Sequence, residues 1–382
     1  TPSIEMAKQA RGLANKVKTL VYAKDRAGEL LWNIFAPTLI YSAKLTGEIA
    51  DDIIAIDNAM KWGFGWAQGP FEMWDAIGVK QSVEKMKEEG REIPAFVQGL
   101  LDKGLDTFYS EIDGDLAYYN GTEYVKVPVN GKVIDLKRYK KKHGVIKSNS
   151  GASLIDLQDG VLLLEFHSQS NAIGLDIIQM LNAAIDELEN NAAYKGLVIG
   201  NQGKNFCVGA NLGMILMEAQ DDNIFELDFV INAFQKAMRR IKYAAKPVVA
   251  APFQMTLGGG AEVCLPAAHI QASAETYIGL VEAGVGVIPG GAGNLGLYEK
   301  FLKGLPNGVD IDLQAVVNKV FETIAMAKVS TSGEEARENN FLDFADGVSV
   351  NPDHLIYDAK QAAIALYDAG YRAPVKKKVK VV

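Results

Sequence analysis

The sequence predicts a parallel-rich α/β domain preceded by a smaller all-α domain. Up to about residue 110, apolar residues recur at helical spacing, and no strand is followed by a glycine-rich turn and a helix. From Ser153 onward, short β-branched runs alternate with amphipathic helical patterns, which is typical of α/β domains. The stretch from Pro247 to Asn294 joins a buried strand to three glycines and an apolar helical pattern. These three observations define the predicted fold class.

The predicted helical domain covers residues 1–110. Its clearest helix runs from Asp25 to Thr46, with a kink expected at Pro37. A second helix is predicted to begin after Asp51-Asp52, because acidic side chains are favourable near the positive end of the helix dipole. The aromatic residues that follow are expected to pack in a core or a domain interface rather than to bind a ligand: Trp62, Phe64, Trp66, Phe71 and Trp74.

Residues 111–150 are predicted to be a connector between the two domains. Asn120-Gly121 lies between two aromatic-rich runs, and this dipeptide favours a tight β-hairpin turn. The basic run from Lys137 to Lys142 is interpreted as a solvent-facing linker surface. A nucleic-acid site is not supported, because the formal net charge of the chain is −8.

The α/β domain is predicted over residues 151–382. Its predicted elements are a hairpin through Asp159-Gly160, a helix LDIIQMLNAAIDELEN with Asn171-Ala172 as its start signal, a buried strand from Gly196 to Gly200, a long amphipathic helix from Ile224 to Ala244, and a strand from Pro247 to Pro252. The order of these elements places a strand directly before the glycine-rich turn.

The turn Gly258-Gly259-Gly260 is the strongest candidate for a functional site. Glycines allow a sharp backbone turn and a close approach by a ligand. The free N–H groups at the start of the following helix could stabilise an oxygen that gains negative charge in a reaction. Two carboxylates, Glu262 and Glu282, flank the turn in sequence and could act as acid and base. The structural alternative is a packing turn in which Glu262 only interacts with the helix dipole.

Composition narrows the remaining classes of function. The two cysteines, Cys207 and Cys264, are too few for a disulfide framework, so we expect small buried residues and a reducing, cytoplasmic compartment. No apolar run reaches the length of about 18 residues that a membrane span needs. The N-terminus has neither an initiator Met nor the apolar segment of a signal peptide, so a fragment or a processed product is expected. No metal site is expected, because the four histidines lack ligand spacing: His143, His167, His269 and His354.

Two long segments of the predicted α/β domain resemble the enoyl-CoA hydratase/isomerase (crotonase) family. They are LGGGAEVCLPAAHIQASAETYIGLVEAGVGVIPGGAGN from Leu257 and GLVIGNQGKNFCVGANLGMI from Gly196. The resemblance implies a spiral of ββα units. It also implies an oxyanion hole formed by the backbone N–H groups of Ala210 and Gly259, with Glu262 as general base and Glu282 as general acid. Substrate-binding residues implied in the same way are Ala172, Ala210, Asn211, Leu212, Gly213 and Gly290.

The helical domain resembles the C-terminal domain of 3-hydroxyacyl-CoA dehydrogenases, on the segment EIADDIIAIDNAMKWGFGWAQGPFEMWDAIG from Glu48. In that family the NAD-binding domain and the catalytic His–Glu pair lie upstream of such a domain. The resemblance therefore implies the C-terminal part of a bifunctional fatty-acid-oxidation enzyme, which would use NAD only through an upstream domain. Hydration itself would need no cofactor, because the coenzyme A thioester is the substrate.

The sequence is compatible with three activities. The first is reversible hydration of 2-enoyl-CoA. The others are enoyl-CoA isomerisation and acyl-CoA binding without catalysis. Expected partners are the acyl-CoA substrate, an upstream dehydrogenase domain and a second copy of the chain, but neither nucleic acid nor a membrane. A contact between the basic run of the connector and coenzyme A phosphates is a further alternative.

Two departures from the family pattern bear on substrate range. Asn211 stands where many members have Asp, and we expect it to preserve hydrogen bonding in the loop while removing a charge. Residues 295–313 replace the usual run after the glycine-rich segment, and we expect this change to alter the acyl pocket.

Overall fold

The computed structural model describes residues 1–303, 305 and 311–379. The chain forms two compact units, Thr1–Val129 and Asn130–Val382. The predicted connector is divided between them, since its hairpin belongs to the first unit and its basic run to the second. Among the described helices, none combines the length and the apolar character that crossing a membrane requires.

The first unit is mostly helical, as the sequence predicts. Its helices are α1 (Pro2–Gln9), α2 (Leu13–Val21), α3 (Arg26–Leu45), α4 (Ile53–Phe64), α5 (Pro70–Ile77), α6 (Val79–Glu88) and α7 (Ala95–Asp102). They are followed by a three-stranded antiparallel sheet, β1 (Tyr109–Ile112), β2 (Asp115–Tyr119) and β3 (Tyr124–Lys126). The β2–β3 hairpin confirms the turn predicted at Asn120-Gly121. Asp25 and Asp52 cap α3 and α4 by accepting hydrogen bonds from the Gly28 and Ala55 amides.

The aromatic residues around α4 and α5 divide into buried and exposed groups. Phe71 and Trp74 are fully buried, and their rings lie 4.9 and 5.4 Å from the ring of Phe108. Trp62 and Phe64 are instead 75% and 74% exposed, so the prediction that they belong to a core is wrong. The helical pattern did not show which side of α4 faces inward; Ile53 and Asp57, one turn apart, are its buried residues.

The second unit is an α/β domain built on a seven-stranded sheet with the order β13-β10-β8-β7-β6-β5-β4. Its first elements are α8 (Leu136–His143), β4 (Lys147–Ser148), β5 (Ala152–Asp156), β6 (Val161–Phe166), α9 (Leu175–Asn190), β7 (Gly196–Gly200), α10 (Leu212–Gln220) and α11 (Ile224–Lys242). The β5–β6 pair confirms the hairpin predicted through Asp159-Gly160. The basic run forms α8 rather than a linker surface, because Leu136 is buried and Lys140 pairs with the buried Glu165 at 2.6 Å.

The rest of the second unit repeats one pattern. Its elements are β8 (Val248–Ala250), β9 (Gln254–Leu257), α12 (Gly259–Cys264), β10 (His269–Ser273), β11 (Thr276–Gly279), α13 (Gly293–Lys303), α14 (Leu313–Ala325), β12 (Val329–Ser330), α15 (Gly333–Glu338), β13 (Gly347–Ser349) and α16 (Leu355–Asp368). Strands β8 and β10 are neighbours in the large sheet, whereas β9 and β11 pair in parallel in a second sheet of order β12-β11-β9. Two successive strand–strand–helix units therefore stack on each other, which confirms the predicted spiral of ββα units.

Asp57 is the most buried charged residue of the first unit. Its carboxylate accepts hydrogen bonds from the amides of Phe71 (2.8 Å) and Glu72 (3.1 Å) and from the hydroxyl of Tyr109 (2.8 Å). Burial raises the pKa of Asp57 to about 6, although these hydrogen bonds favour its charged form. The side chain thus joins α4 to the start of α5 and to β1.

We expect Asp57→Ala to destabilise the first unit by about 3 kcal/mol, because it leaves two amides and a hydroxyl without their acceptor. Asp52→Ala is the matched control, since it removes only the exposed N-cap of the same helix and should cost about 1 kcal/mol. Urea unfolding followed by tryptophan fluorescence measures this unit alone, because all four tryptophans lie in it. Equal losses in the two variants would contradict the structural role of Asp57.

Candidate active site

The site is built where two loops of the second unit meet. Residues 207–211 lie between β7 and α10, and residues 258–260 run from the end of β9 into the first turn of α12. The first loop is held by Ile173, whose amide donates to the Gly209 carbonyl (2.9 Å) and whose carbonyl accepts from the Asn211 amide (3.0 Å). Helix α9 has the predicted sequence LDIIQMLNAAIDELEN, but its N-cap is Gly174 and not the predicted start signal Asn171-Ala172, because Ile173 takes part in this extended pairing.

Two backbone amides, those of Ala210 and Gly259, lie close together where these loops meet. Gly209 (φ 112°) and Gly258 (φ 53°) precede Ala210 and Gly259, and both adopt conformations that favour glycine. A Cβ added to Gly259 would lie 3.4 Å from the Ala210 nitrogen, so the two amides are close together. Within the described residues neither N–H has a hydrogen-bond acceptor. Both donors are therefore free for a ligand, and their joint action on one oxygen atom stays a prediction.

Glu262 lies in the first turn of α12 and is only 4% exposed. Its Oε1 accepts hydrogen bonds from the amides of Gly291 (2.8 Å) and Gly293 (2.7 Å). A Cβ on Gly291 would come within 2.8 Å of Oε2, and a Cβ on Gly293 within 2.8 Å of Oε1. The two glycines thus allow the backbone to approach the carboxylate and fix its orientation.

Glu282 begins a short 3-10 turn after β11. Its carboxylate lies beside the glycine-rich turn, since a Cβ added to Gly258 would be 3.2 Å from its Oε1. Both carboxylate oxygens are buried and accept no hydrogen bond of ordinary geometry from a described residue, although the amides of Val281 and Glu282 are close enough to oppose the rise of its pKa. A buried polar group without a partner is unfavourable, so this carboxylate is suited to a proton or a ligand.

The two carboxylates influence each other electrostatically. Burial and the charge of Glu282 raise the pKa of Glu262 to about 7, against the opposing effect of the Gly291 and Gly293 amides. Burial also raises the pKa of Glu282. Both carboxyls are thus shifted toward their protonated forms, which suits groups that exchange protons in acid/base catalysis.

A cavity of about 650 Å³ lies beside Glu262, between α11 and the segment that leads into α13. Its lining is mainly apolar and includes Ile231, Met238, Leu265, Ile288 and Leu295. Charged side chains also line it, namely Arg239, Lys242 and Glu299. A cavity of this size and character can hold a flexible apolar group next to the carboxylate.

The other predicted substrate-binding residues differ in their surroundings. Gly290 lines the cavity, and Ala172 precedes the Ile173 pairing. Asn211, Leu212 and Gly213 are exposed at the start of α10, where the Asn211 side chain accepts a hydrogen bond from the Met214 amide (3.2 Å). Their roles stay predictions. The altered run after Asn294 falls partly outside the described residues, at 304 and 306–310.

Sequence reasoning missed the residues that hold Glu262. Gly291 and Gly293 belong to the quoted family segment but were given no role, and the spacing of alternate glycines in PGGAG was the available signal. Phe234 was also missed, although its ring would collide with any Cβ on Gly291. In the part of the chain that the structure describes, no three His, Cys, Asp or Glu side chains converge as a metal site would require.

A buried acid/base pair beside two convergent amide donors defines an enzyme-like site for a reaction through an oxyanion. Comparison with known proteins identifies a family for this part of the chain. Residues 156–302 match the model of the enoyl-CoA hydratase/isomerase family, so the chain contains a domain of the crotonase family.

Three similar proteins put this domain in context. A Bacillus subtilis (strain 168) protein named "Probable 3-hydroxyacyl-CoA dehydrogenase" is 63% identical over 381 residues, which cover 100% of this chain and 47% of the relative. The fatty acid oxidation complex subunit alpha of Pseudomonas paraeruginosa is 28% identical over 45% of this chain and 24% of its own length. A crystal structure of an enoyl-CoA hydratase from Polaromonas sp. JS666 covers 56% of this chain and 77% of its own, with 19% identity and a TM-score of 0.48. The chain thus spans about half the length, or less, of the curated relatives it matches.

We expect Glu282→Gln to lower the pKa of Glu262, because the charge that contributes to its rise is removed. The pKa should stay above 4.5, the ordinary value, since burial is the larger cause and does not change. Carbon-13 NMR of glutamate-labelled protein measures this, with the Glu262 signal assigned by its loss in Glu262→Gln. Glu299→Gln is the control, as Glu299 lines the same cavity but does not contribute to the shift. An unchanged pKa in Glu282→Gln would disprove the coupling.

Proposed function

We propose that this chain catalyses the reversible hydration of 2-enoyl-CoA to 3-hydroxyacyl-CoA. The observation that carries the proposal is the pairing of Glu262 and Glu282 beside the free amides of Ala210 and Gly259. Hydration develops negative charge on the thioester oxygen, and two amide donors can stabilise it without reorganisation. It also requires one proton to leave water and another to reach the α-carbon, which gives each carboxylate a task.

The hydrogen bonds around the carboxylates suggest how the tasks are divided. Glu262 receives two amide N–H groups on Oε1, which favour its ionised form and leave Oε2 to accept a proton from water. Because the charge of Glu282 raises the pKa of Glu262, we take the pair to hold a single proton, and hydration starts from the state in which Glu282 carries that proton and delivers it to the α-carbon. The water oxygen then bonds to the β-carbon. At the end of the reaction Glu262 carries a proton and Glu282 is ionised. In the reverse direction the roles are interchanged.

The longer relatives suggest a wider context for this reaction. We place the chain as the hydratase part of a bifunctional enzyme of fatty acid oxidation that oxidises the 3-hydroxyacyl-CoA product with NAD. Support comes from the Bacillus subtilis relative, which matches this chain over 381 residues, is about twice as long and is named a dehydrogenase. NAD binding and oxidation would then belong to the remainder of the protein. Cytoplasmic location and self-association are part of the same proposal.

We expect Glu262→Gln and Glu282→Gln each to lower kcat for crotonyl-CoA hydration by roughly two to four decades, because each removes one proton transfer. The double variant should lose much less than the product of the two single losses, since the groups act as a unit. Affinity for butanoyl-CoA should change little, as the saturated thioester needs no proton transfer. Hydration is followed by loss of the enoyl absorbance, with the exposed Glu275→Gln as a control for the loss of one surface charge.

Other results would favour other functions. If Glu262→Gln keeps near-normal hydration, the two-carboxylate mechanism is wrong. If the unaltered chain converts a 3-enoyl-CoA into its 2-enoyl isomer but adds no water, it is an isomerase. Tight binding of butanoyl-CoA with neither activity would make it a binding module.

A further inference from the structure

Cys207 connects the two loops that carry the amide donors. Its amide donates to the Met255 carbonyl (3.1 Å), and its carbonyl accepts from the Leu257 amide (3.0 Å). These bonds form an isolated parallel bridge between Cys207 and Thr256. Since β9 ends at Leu257, the backbone of Cys207 fixes the strand end from which Gly258 and Gly259 continue.

The side chain of Cys207 forms hydrogen bonds within its own loop, residues 207–211. Its Sγ accepts a hydrogen bond from the Gly209 amide (3.4 Å) and donates to the Gly209 carbonyl (3.7 Å). Burial raises the pKa of the Cys207 thiol to about 12, so it keeps its proton and can donate. Gly209 has a positive φ of 112° and directly precedes Ala210, so this contact bears on the direction of the Ala210 N–H.

The first turn of α12 packs directly on Cys207. A Cβ added to Gly260 would lie 2.6 Å from the Cys207 carbonyl oxygen and 2.9 Å from its Cβ. No side chain can be accommodated there without a backbone shift. Together with Ile173, Cys207 therefore helps to set the separation between the Gly259 donor and the Ala210 donor.

We propose that Cys207 is a positioning residue for the oxyanion hole, which sets the spacing and direction of the Ala210 and Gly259 amides. This inference rests on the proposed function, because it concerns the same site. The plain alternative is a small buried residue that only fills space. Cys264 allows the two to be distinguished, since it is equally buried in α12 and lies near Cys207, but among the described residues its sulfur makes no hydrogen bond to either loop.

The test compares Cys207→Ala, Cys207→Ser and the matched control Cys264→Ala. The direct readout is the enolate fraction of bound acetoacetyl-CoA, measured by its ultraviolet absorption, because that fraction rises with stabilisation of the thioester oxyanion. The second readout is kcat and KM for crotonyl-CoA. Thermal unfolding of each variant separates loss of positioning from loss of folding.

We expect Cys207→Ala to reduce the enolate fraction and to lower kcat by roughly ten- to a hundredfold, which is less than the roughly hundred- to thousandfold effect of losing a donor. KM should change less than about threefold, because the bulk of the ligand binds elsewhere. Cys207→Ser should recover part of both losses, since a hydroxyl can accept from and donate to Gly209 as the thiol does. Cys264→Ala should resemble the unaltered chain in both readouts.

Equal enolate fractions in Cys207→Ala and Cys264→Ala would overturn the inference. It would also be overturned if the unaltered chain bound acetoacetyl-CoA without forming the enolate. If the unaltered chain forms the enolate but hydrates nothing, the proposed function fails, and the positioning role is still decided by the spectra. Should Cys207→Ala not fold, Cys207→Ser decides the matter. A folded Cys207→Ser whose enolate fraction and kcat are partly reduced relative to Cys264→Ala supports positioning, and values equal to those of Cys264→Ala overturn it.

Discussion

The close approach of backbone to backbone around α12 is the constraint on which the rest of the site depends. Gly258 needs a positive φ, and Gly260 has no space for a Cβ against Cys207. Only with both conditions met can Gly259 present its amide beside that of Ala210. The spiral of ββα units provides this arrangement. The chain leaves the large sheet after β8, and β9 then brings the glycine-rich turn to the loop between β7 and α10.

The same close packing determines the electrostatics of the site. Glu262 is buried because α12 lies inside the domain, and its charge is tolerated because the Gly291 and Gly293 amides can reach Oε1. Those amides reach it only because neither residue carries a side chain. Burial then couples Glu262 to Glu282, since two charges interact more strongly where water is excluded. Acid/base character is thus a consequence of packing and does not require any unusual residue.

Much of the fold could be predicted from the sequence, whereas the support of the site could not. The glycine triplet and the strand before it are local signals, and they identified Glu262 and the turn correctly as neighbours. The Gly291 and Gly293 contacts to Glu262 span 29 and 31 residues, and no local pattern reports contacts of that length. The start signal of α9 was misplaced at Asn171-Ala172 for the same reason, because the pairing of Ile173 with Ala210 lies between that dipeptide and the helix. Which side of α4 faces inward was likewise decided by tertiary packing, and this left Trp62 exposed.

Buried carboxylates in the two units show how structural and chemical roles differ. Asp57 in the first unit has three donors on its two oxygens, so its hydrogen-bonding capacity is largely used within the fold. Glu282 has buried oxygens that accept no hydrogen bond of ordinary geometry from the described residues, and Glu262 has donors on only one oxygen. Burying a carboxylate without hydrogen-bond partners does not stabilise a fold, because each unsatisfied group costs about 1–3 kcal/mol of folding free energy. What distinguishes the candidate site is therefore unused hydrogen-bonding capacity: two free amides for an anion, and free carboxylate oxygens for protons, on the same few residues.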